Sequence, residues 1–193
     1  MAERSLFQSG HPLATMSRIV TPFPEATTAD SAEVYAQIRK AAGRVPNTFA
    51  AIGALAPEAL KVILEADLVL ASGTLNRRDR EAIKLAVSEA AGCDVCAAAH
   101  VQLGGMAGLT TNELKQIRSG QPTRNAKRDA LLHFVRNLVR SSGTISSDEF
   151  SRIKGAGYTD RQLVEISLAF AVVTFTNVFN RINDTTLDFP AAA

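Results

Sequence analysis

Cysteine is nearly absent: two of 193 residues, in a chain that also has no tryptophan. Two cysteines cannot close a structural zinc site alone, because such sites take four ligands and usually draw on a second paired cluster. Of the three histidines, His11 and His133 belong to no such cluster. An excess of charge of either sign is also missing. The 21 Lys and Arg against 19 Asp and Glu leave a net charge of +2, interspersed along the chain. That gives no basis for the electrostatic footprint of a nucleic-acid or membrane-surface binder. No apolar run reads as long and charge-free enough to span a bilayer. Residues 1–20 lack the basic start, apolar middle and small-residue cleavage site of a secretory leader. A cytoplasmic protein is expected, where a C-x-x-C pair is more often catalytic or metal-binding than a structural disulfide. Paired strands and hairpin signals are missing as well, so no sheet is expected. The 46% apolar and 21% charged residues fit one globular domain with a full core.

What is present is a series of helices, and the expected class is all-α, a bundle of helical hairpins. Residues 1–29, with His11-Pro12, Pro22 and Pro24, read as an irregular arm. Asp30 and Glu33 have the spacing of a capping box, opening a helix that Gly43 stops. Val45-Pro46-Asn47 is a turn before a short helix to about Ala56, and Pro57 suits the first turn of the next. That helix carries Leu60, Ile63, Leu64, Leu68 and Val69 at helical period, and Gly73 ends it. Asn76 caps the following helix, and Ala91-Gly92 breaks it. A helix runs from about Cys93 to Met106 and stops near Gly108. Thr110 with Glu113, Ser146 with Glu149, and Thr159 with Gln162 each have capping-box spacing. Residues 124–142 are strongly amphipathic, with Leu131, Leu132, Val135, Leu138 and Val139 on one face. The segment 160–185 is the longest and most apolar, and its length without Gly or Pro favours a buried helix. The tetrapeptides Ser72-Gly73-Thr74-Leu75 and Ser142-Gly143-Thr144-Ile145 are a weak echo of an internal duplication.

Both cysteines lie in one segment, Gly92-Cys93-Asp94-Val95-Cys96-Ala97-Ala98-Ala99-His100. Residues three apart on a helix have Cα atoms about 5–5.5 Å apart, within disulfide range. The pair can therefore cycle between dithiol and disulfide with little backbone movement. A helix N-terminus favours thiolate over thiol, so at least one pKa should be depressed. His100, at i+4 from Cys96, projects from the same face and can move a thiol proton. Glu81 reaches this group if its helix and the cysteine helix form a hairpin about Gly92, where it would orient the imidazole or pass a proton on. Competing readings are two buried small residues, or a metal site using Cys93, Cys96 and His100, which lacks a fourth ligand. His133 reads as a partly exposed helix residue. Glu89, Lys84 and the Arg77-Arg78-Arg80 cluster read as solvated charges, with electrostatic support of a thiolate the lesser possibility.

The run Arg80-Glu81-Ala82-Ile83-Lys84-Leu85-Ala86-Val87-Ser88, followed by Gly92 to His100, resembles the signature of the alkylhydroperoxidase AhpD-like family of the carboxymuconolactone decarboxylase superfamily. The spacing E-x11-C-x2-C-x3-H is matched throughout. Gly43-Arg44-Val45-Pro46-Asn47-Thr48-Phe49 and Phe179-Asn180-Arg181-Ile182-Asn183-Asp184 resemble pieces of its peroxidase-related branch. The resemblance spans roughly 30–187 and leaves 1–29 as arm and 188–193 as tail. It implies an all-helical fold, a homo-oligomer (trimer or hexamer), and reduction of alkyl hydroperoxides without a bound cofactor or metal. It implies that Cys96 attacks the peroxide, Cys93 resolves the sulfenic acid to a disulfide, and Glu81 with His100 relays protons. A lipoamide- or thioredoxin-like dithiol partner would restore the thiols. Val95 departs from the family, which often has an aromatic or histidine between the cysteines, so more of the proton work falls on His100 and Glu81. The alternatives are a decarboxylase-like enzyme that does not use the thiols and a non-enzymatic redox sensor.

Overall fold

A computed structural model describes residues 17–21, 24–26 and 29–190, and among these there are nine α-helices and no strand. They are α1 (Ala29–Ala42), α2 (Asn47–Leu55), α3 (Pro57–Ala71), α4 (Arg77–Ala90), α5 (Asp94–Met106), α6 (Thr111–Ser119), α7 (Ala126–Arg140), α8 (Ser147–Gly155) and α9 (Asp160–Asn183), after one 3-10 turn at Pro24–Ala26. The expected all-α class is what the structure has. His11 and most of the arm lie outside the described residues.

The organising element is α4. Its residues Ala82 to Ser88 are all buried, so it is covered on every side. A helix that is apolar around much of its circumference must lie inside. Ile83 and Val87 pack with Leu131, Val135, Tyr158, Ile166 and Val173 of the surrounding segments. Ala82, Leu85 and Ala86 face a second cluster with Ala97, Leu109, Leu114, Ile117 and Leu132. A third cluster, with Val34, Tyr35, Ile38, Ile52 and Leu60, joins α1 to α3.

Local chemistry sets most helix ends. Pro57 is in the first turn of α3, and Asn76 Oδ1 accepts from the Asp79 N–H at the start of α4. Full capping boxes form at Thr110–Glu113 and Thr159–Gln162. At Ser146 only half forms: the hydroxyl accepts from Glu149 N–H, while the Glu149 carboxylate turns to Asn137, His133 and Arg152. Asp30 is not a cap. It lies in the first turn of α1, which starts one residue earlier at Ala29. The two echoing tetrapeptides differ in conformation: Ser142 and Gly143 have positive φ, whereas Ser72 is right-handed and Gly73 does not have positive φ. Gly73 has another constraint, since a Cβ there would sit 2.9 Å from Glu165 Cδ. Glu165 accepts from the N–H of Thr74 (2.9 Å) and Leu75 (2.8 Å), pinning the α3–α4 loop to α9.

Two expectations about apolar faces are corrected. On α3, Leu60, Ile63 and Leu70 are buried while Leu68 and Val69 are exposed, because the helix meets its neighbours on a narrower face than the periodicity outlines. On α9, length and composition do suffice to cross a membrane, contrary to the expectation that no run would. Its buried face carries Glu165, Asn177, Asn180 and Asn183, each with a side-chain oxygen bonded to a neighbouring segment, while the buried Asn177 Nδ2 finds no partner among the described residues. The opposite face exposes Phe175, Val178 and Ile182.

Candidate active site

The α4–α5 hairpin builds the site. Gly92, at φ +63°, reverses the chain, and Cys93 N–H donates to Ser88 O at 3.0 Å. Cys93 is then the N-cap of α5 and Cys96 lies in its first turn; both are buried, reduced thiols. His100 follows one turn later and faces back to α4, where its Nδ1 lies 2.9 Å from Glu81 Oε2. The structure thus brings Glu81 to His100 and Cys93 to Cys96, as the hairpin requires. Burial pushes the Glu81 carboxyl up, but the hydrogen bond and charge of His100, with Lys84 and Arg77, outweigh it and hold the group below its ordinary value.

The two sulfurs share charge unequally. The Cys96 thiol donates to Cys93, and against burial the Cys96 backbone N–H and the Asn180 amide add to this, holding Cys93 down to about 7. Cys96, whose proton is the one shared, is pushed well up by that hydrogen bond, by burial and by the Cys93 charge. The pair therefore releases its first proton readily and its second with difficulty. Helix N-terminal donors favour the anion at this end of α5.

A cavity of about 460 Å³ opens onto this dithiol. Cys96 and His100 line it; Cys93 does not. Phe49, Ile63, Val95, Leu103, Val172 and Phe189 supply apolar walls, and Arg44, Asp67, Arg77 and Lys84 supply charge. The volume suits a small organic molecule. Lys84 is corrected from a solvated charge: it is buried, lines the cavity and is hydrogen-bonded to Asp67 Oδ1. Glu89 is half-buried and paired with Arg118 rather than solvated. His133 is exposed beside Glu149, as expected of a helix-surface residue. Among the described residues no three His, Cys, Asp or Glu side chains form a metal-binding group.

Sequence reasoning missed Asn180 as a site residue. Its Nδ2 donates to Cys96 Sγ at 3.1 Å, and its Oδ1 accepts from the Thr48 hydroxyl at 3.0 Å. The signal was present in the two flanking motifs, which meet in space. Arg44 holds Asp188, and the Asn47 N–H donates to the same carboxylate at 2.8 Å. Phe189 lies under the Arg44 guanidinium, 4.6 Å from it, and lines the cavity. Phe189 of the expected tail is therefore part of the cavity wall, and Asp188 anchors that end of the chain to Arg44 and Asn47. At the other end, Ile19 N–H donates to Asn183 Oδ1 at 2.9 Å, tying the arm to the end of α9.

Residues 57–123 match the family model of the carboxymuconolactone decarboxylase family. No curated protein sequence matches the chain at a significant level. Among solved structures, an uncharacterized peroxidase-related protein from Ralstonia eutropha JMP134, described as an alkylhydroperoxidase AhpD core, superposes with a TM-score of 0.80 at 22% identity, over 93% of this chain and 94% of that one. A peroxidase-related protein from Silicibacter sp. TM1040 gives 0.77 at 18% identity, over 92% and 94%. The debrominase Bmp8, in a Cys-to-Ala variant bound to 2,3,4-tribromopyrrole, gives 0.72 at 16% identity, over 94% of each chain.

Proposed function

We propose that the chain, whose residues 57–123 match the carboxymuconolactone decarboxylase family model and whose helical fold is AhpD-like, is a thiol-dependent peroxidase that reduces alkyl hydroperoxides through Cys93 and Cys96. The observation that carries this is the cavity: only one of the two sulfurs, Cys96, lines it, and His100 lines it beside that sulfur with Glu81 behind. The resting charge lies with Cys93, so an exchange of the shared proton puts the anion on Cys96, where the Asn180 donor meets it. Cys96 thiolate attacks the terminal peroxide oxygen, the O–O bond breaks, and His100 delivers a proton to the departing alkoxide. Cys93, which took the shared proton, then gives it up as its sulfur attacks the Cys96 sulfenic acid; the S–S bond forms, the S–O bond breaks, and the hydroxyl leaves with that proton as water. A dithiol, free or carried by a lipoamide- or thioredoxin-like partner, takes over the disulfide by exchange. A reducing cytoplasm suits a site that must start as two free thiols. The exposed Phe175, Val178 and Ile182 on α9, with Val62, Leu68 and Val69 on α3, support assembly into a homo-oligomer.

The test is peroxide consumption with a dithiol present. Cys96→Ser should abolish it, and Cys93→Ser should leave at most one turnover. Full activity in Cys96→Ser, or activity that survives alkylation of both thiols, would exclude this function. A second reading is favoured by the halogenated-pyrrole complex of the same fold. In it the thiols would reduce a halogenated aromatic, exchanging halogen for hydrogen as the disulfide forms. Halide release from a bromopyrrole, with hydroperoxide left untouched, would select that reading.

A further inference from the structure

The residues Thr48 and Asn180 lie 132 positions apart, yet they form one hydrogen-bonded chain that ends on a sulfur: Thr48 hydroxyl to Asn180 Oδ1, then Asn180 Nδ2 to Cys96 Sγ. Both side chains are almost fully buried, with Thr48 7% and Asn180 4% exposed. We propose that Asn180 is a catalytic residue, donating to Cys96 whenever that sulfur carries negative charge, and that Thr48 is the positioning residue that holds its amide for the purpose. The proposal rests on the thiol-peroxidase reading for its place in the reaction, but its test needs no peroxide.

An amide side chain presents a donor at one end and an acceptor at the other, and a hydroxyl can serve either. While Cys96 is protonated its S–H is donated to Cys93, and its sulfur accepts the Asn180 donor only weakly. Once Cys96 ionises, one amide orientation suits it: Nδ2 toward the sulfur, with Oδ1 accepting from the Thr48 hydroxyl. Rotating the amide would set a carbonyl against a thiolate. A donor to an ionised acceptor in a buried site forms one of the stronger hydrogen bonds. An amide achieves this without adding charge of its own. The thiolate nucleophile and any sulfenate formed by oxygen transfer both place negative charge at this position. The same chain explains why the two flanking motifs accompany the cysteines. One delivers Thr48 on α2 and the other delivers Asn180 on α9, and Thr176, one turn back on α9, adds a hydroxyl beside the sulfur.

Other charged groups bear on this sulfur and must be held constant. They are Cys93 and Asp94 at the start of α5, His100 with Glu81, Lys84 with Asp67, and Arg44 with Asp188. The experiment therefore uses a Cys93→Ser background, in which Cys96 is the only thiol, and follows its thiolate absorbance against pH. Asn180→Leu should raise the Cys96 midpoint by about one pH unit or more, and Asn180→Asp by more still, since a carboxylate replaces the donor. Thr48→Val, close to isosteric, should raise it by a smaller amount with the fold intact by circular dichroism. An unchanged Cys96 midpoint in folded Asn180→Leu and Thr48→Val proteins would overturn the proposal. If the midpoint moves but the unmodified protein consumes no hydroperoxide, the peroxidase reading falls and the donor role stands. If hydroperoxide is consumed and the midpoint stays, the reverse holds.

Discussion

The proton shared between Cys93 and Cys96 should be visible in the titration of the unmodified protein. With the first proton leaving at about 7, half of the molecules carry a thiolate at neutral pH. An ordinary cysteine, with a pKa near 8.5, is only about 3% ionised there, so the pair should hold roughly 15 times more thiolate. Ultraviolet thiolate absorbance should show one equivalent appearing near pH 7 and no second equivalent before the protein denatures, because Cys96 is pushed up as Cys93 ionises. The rate of alkylation by iodoacetamide should follow the same midpoint. The largest cause of the Cys93 depression is the Cys96 S–H donor. Cys96→Ala removes it and should move the Cys93 midpoint up by about a unit, cutting neutral-pH thiolate about fivefold. Two independent thiols titrating near 8.5 in the unmodified protein, or an unmoved Cys93 midpoint in Cys96→Ala, would refute the shared-proton reasoning.

Other outcomes follow from the same geometry. Glu81→Gln keeps the shape of the His100 contact but removes its charge. It should lower hydroperoxide turnover about 10²-fold while the thiolate midpoint near 7 stays within a few tenths of a unit. Glu81, Glu113, Glu149 and Glu165 are all held below their ordinary value in the folded chain. The unfolded chain therefore takes up protons first, so the stability these groups contribute is present above about pH 4.3 and is lost as pH falls through their folded values. Thermal melts should be steady near neutrality and drop steeply below that point; a midpoint that rises on acidification would contradict it. Gly53→Ala would put a Cβ 2.5 Å from Tyr35 Cε1 and 2.8 Å from Leu60 Cδ2, both fully buried. Overpacking of about 1–3 kcal/mol should exceed the roughly 1 kcal/mol gain in helix propensity and lower the melting midpoint by several degrees.

Helix ends were the most legible part of the fold, because they depend on residues within a turn of each other: Asn76, Thr110, Thr159, Pro57 and Gly92 behave as their local chemistry requires. The capping box at Ser146 failed by half because Glu149 has a competing partner sixteen positions away in His133. Asp30 misled for a simpler reason, since an acid in a helix first turn and an acid at the cap look alike in sequence. The meeting of Glu81 with His100 and of Cys93 with Cys96 was legible from spacing within one hairpin. Lys84 was not, because a lysine between acids and apolar residues gives no hint that Asp67 on another helix will bury it. Asn180 was hidden for the same reason. Its partners, Cys96 and Thr48, come from two other elements, and only tertiary packing brings the three together.

The central claim is that the two thiols, and not another part of the cavity, take the oxygen from the peroxide. It is tested most directly without any reductant, by adding one equivalent of an alkyl hydroperoxide to the reduced protein and measuring remaining peroxide, free thiols and intact protein mass together. The account predicts that one peroxide is consumed, both thiols disappear, and the mass falls by two hydrogens, with the new bond between Cys93 and Cys96. Peroxide left intact, or consumed while both thiols remain free, would contradict it.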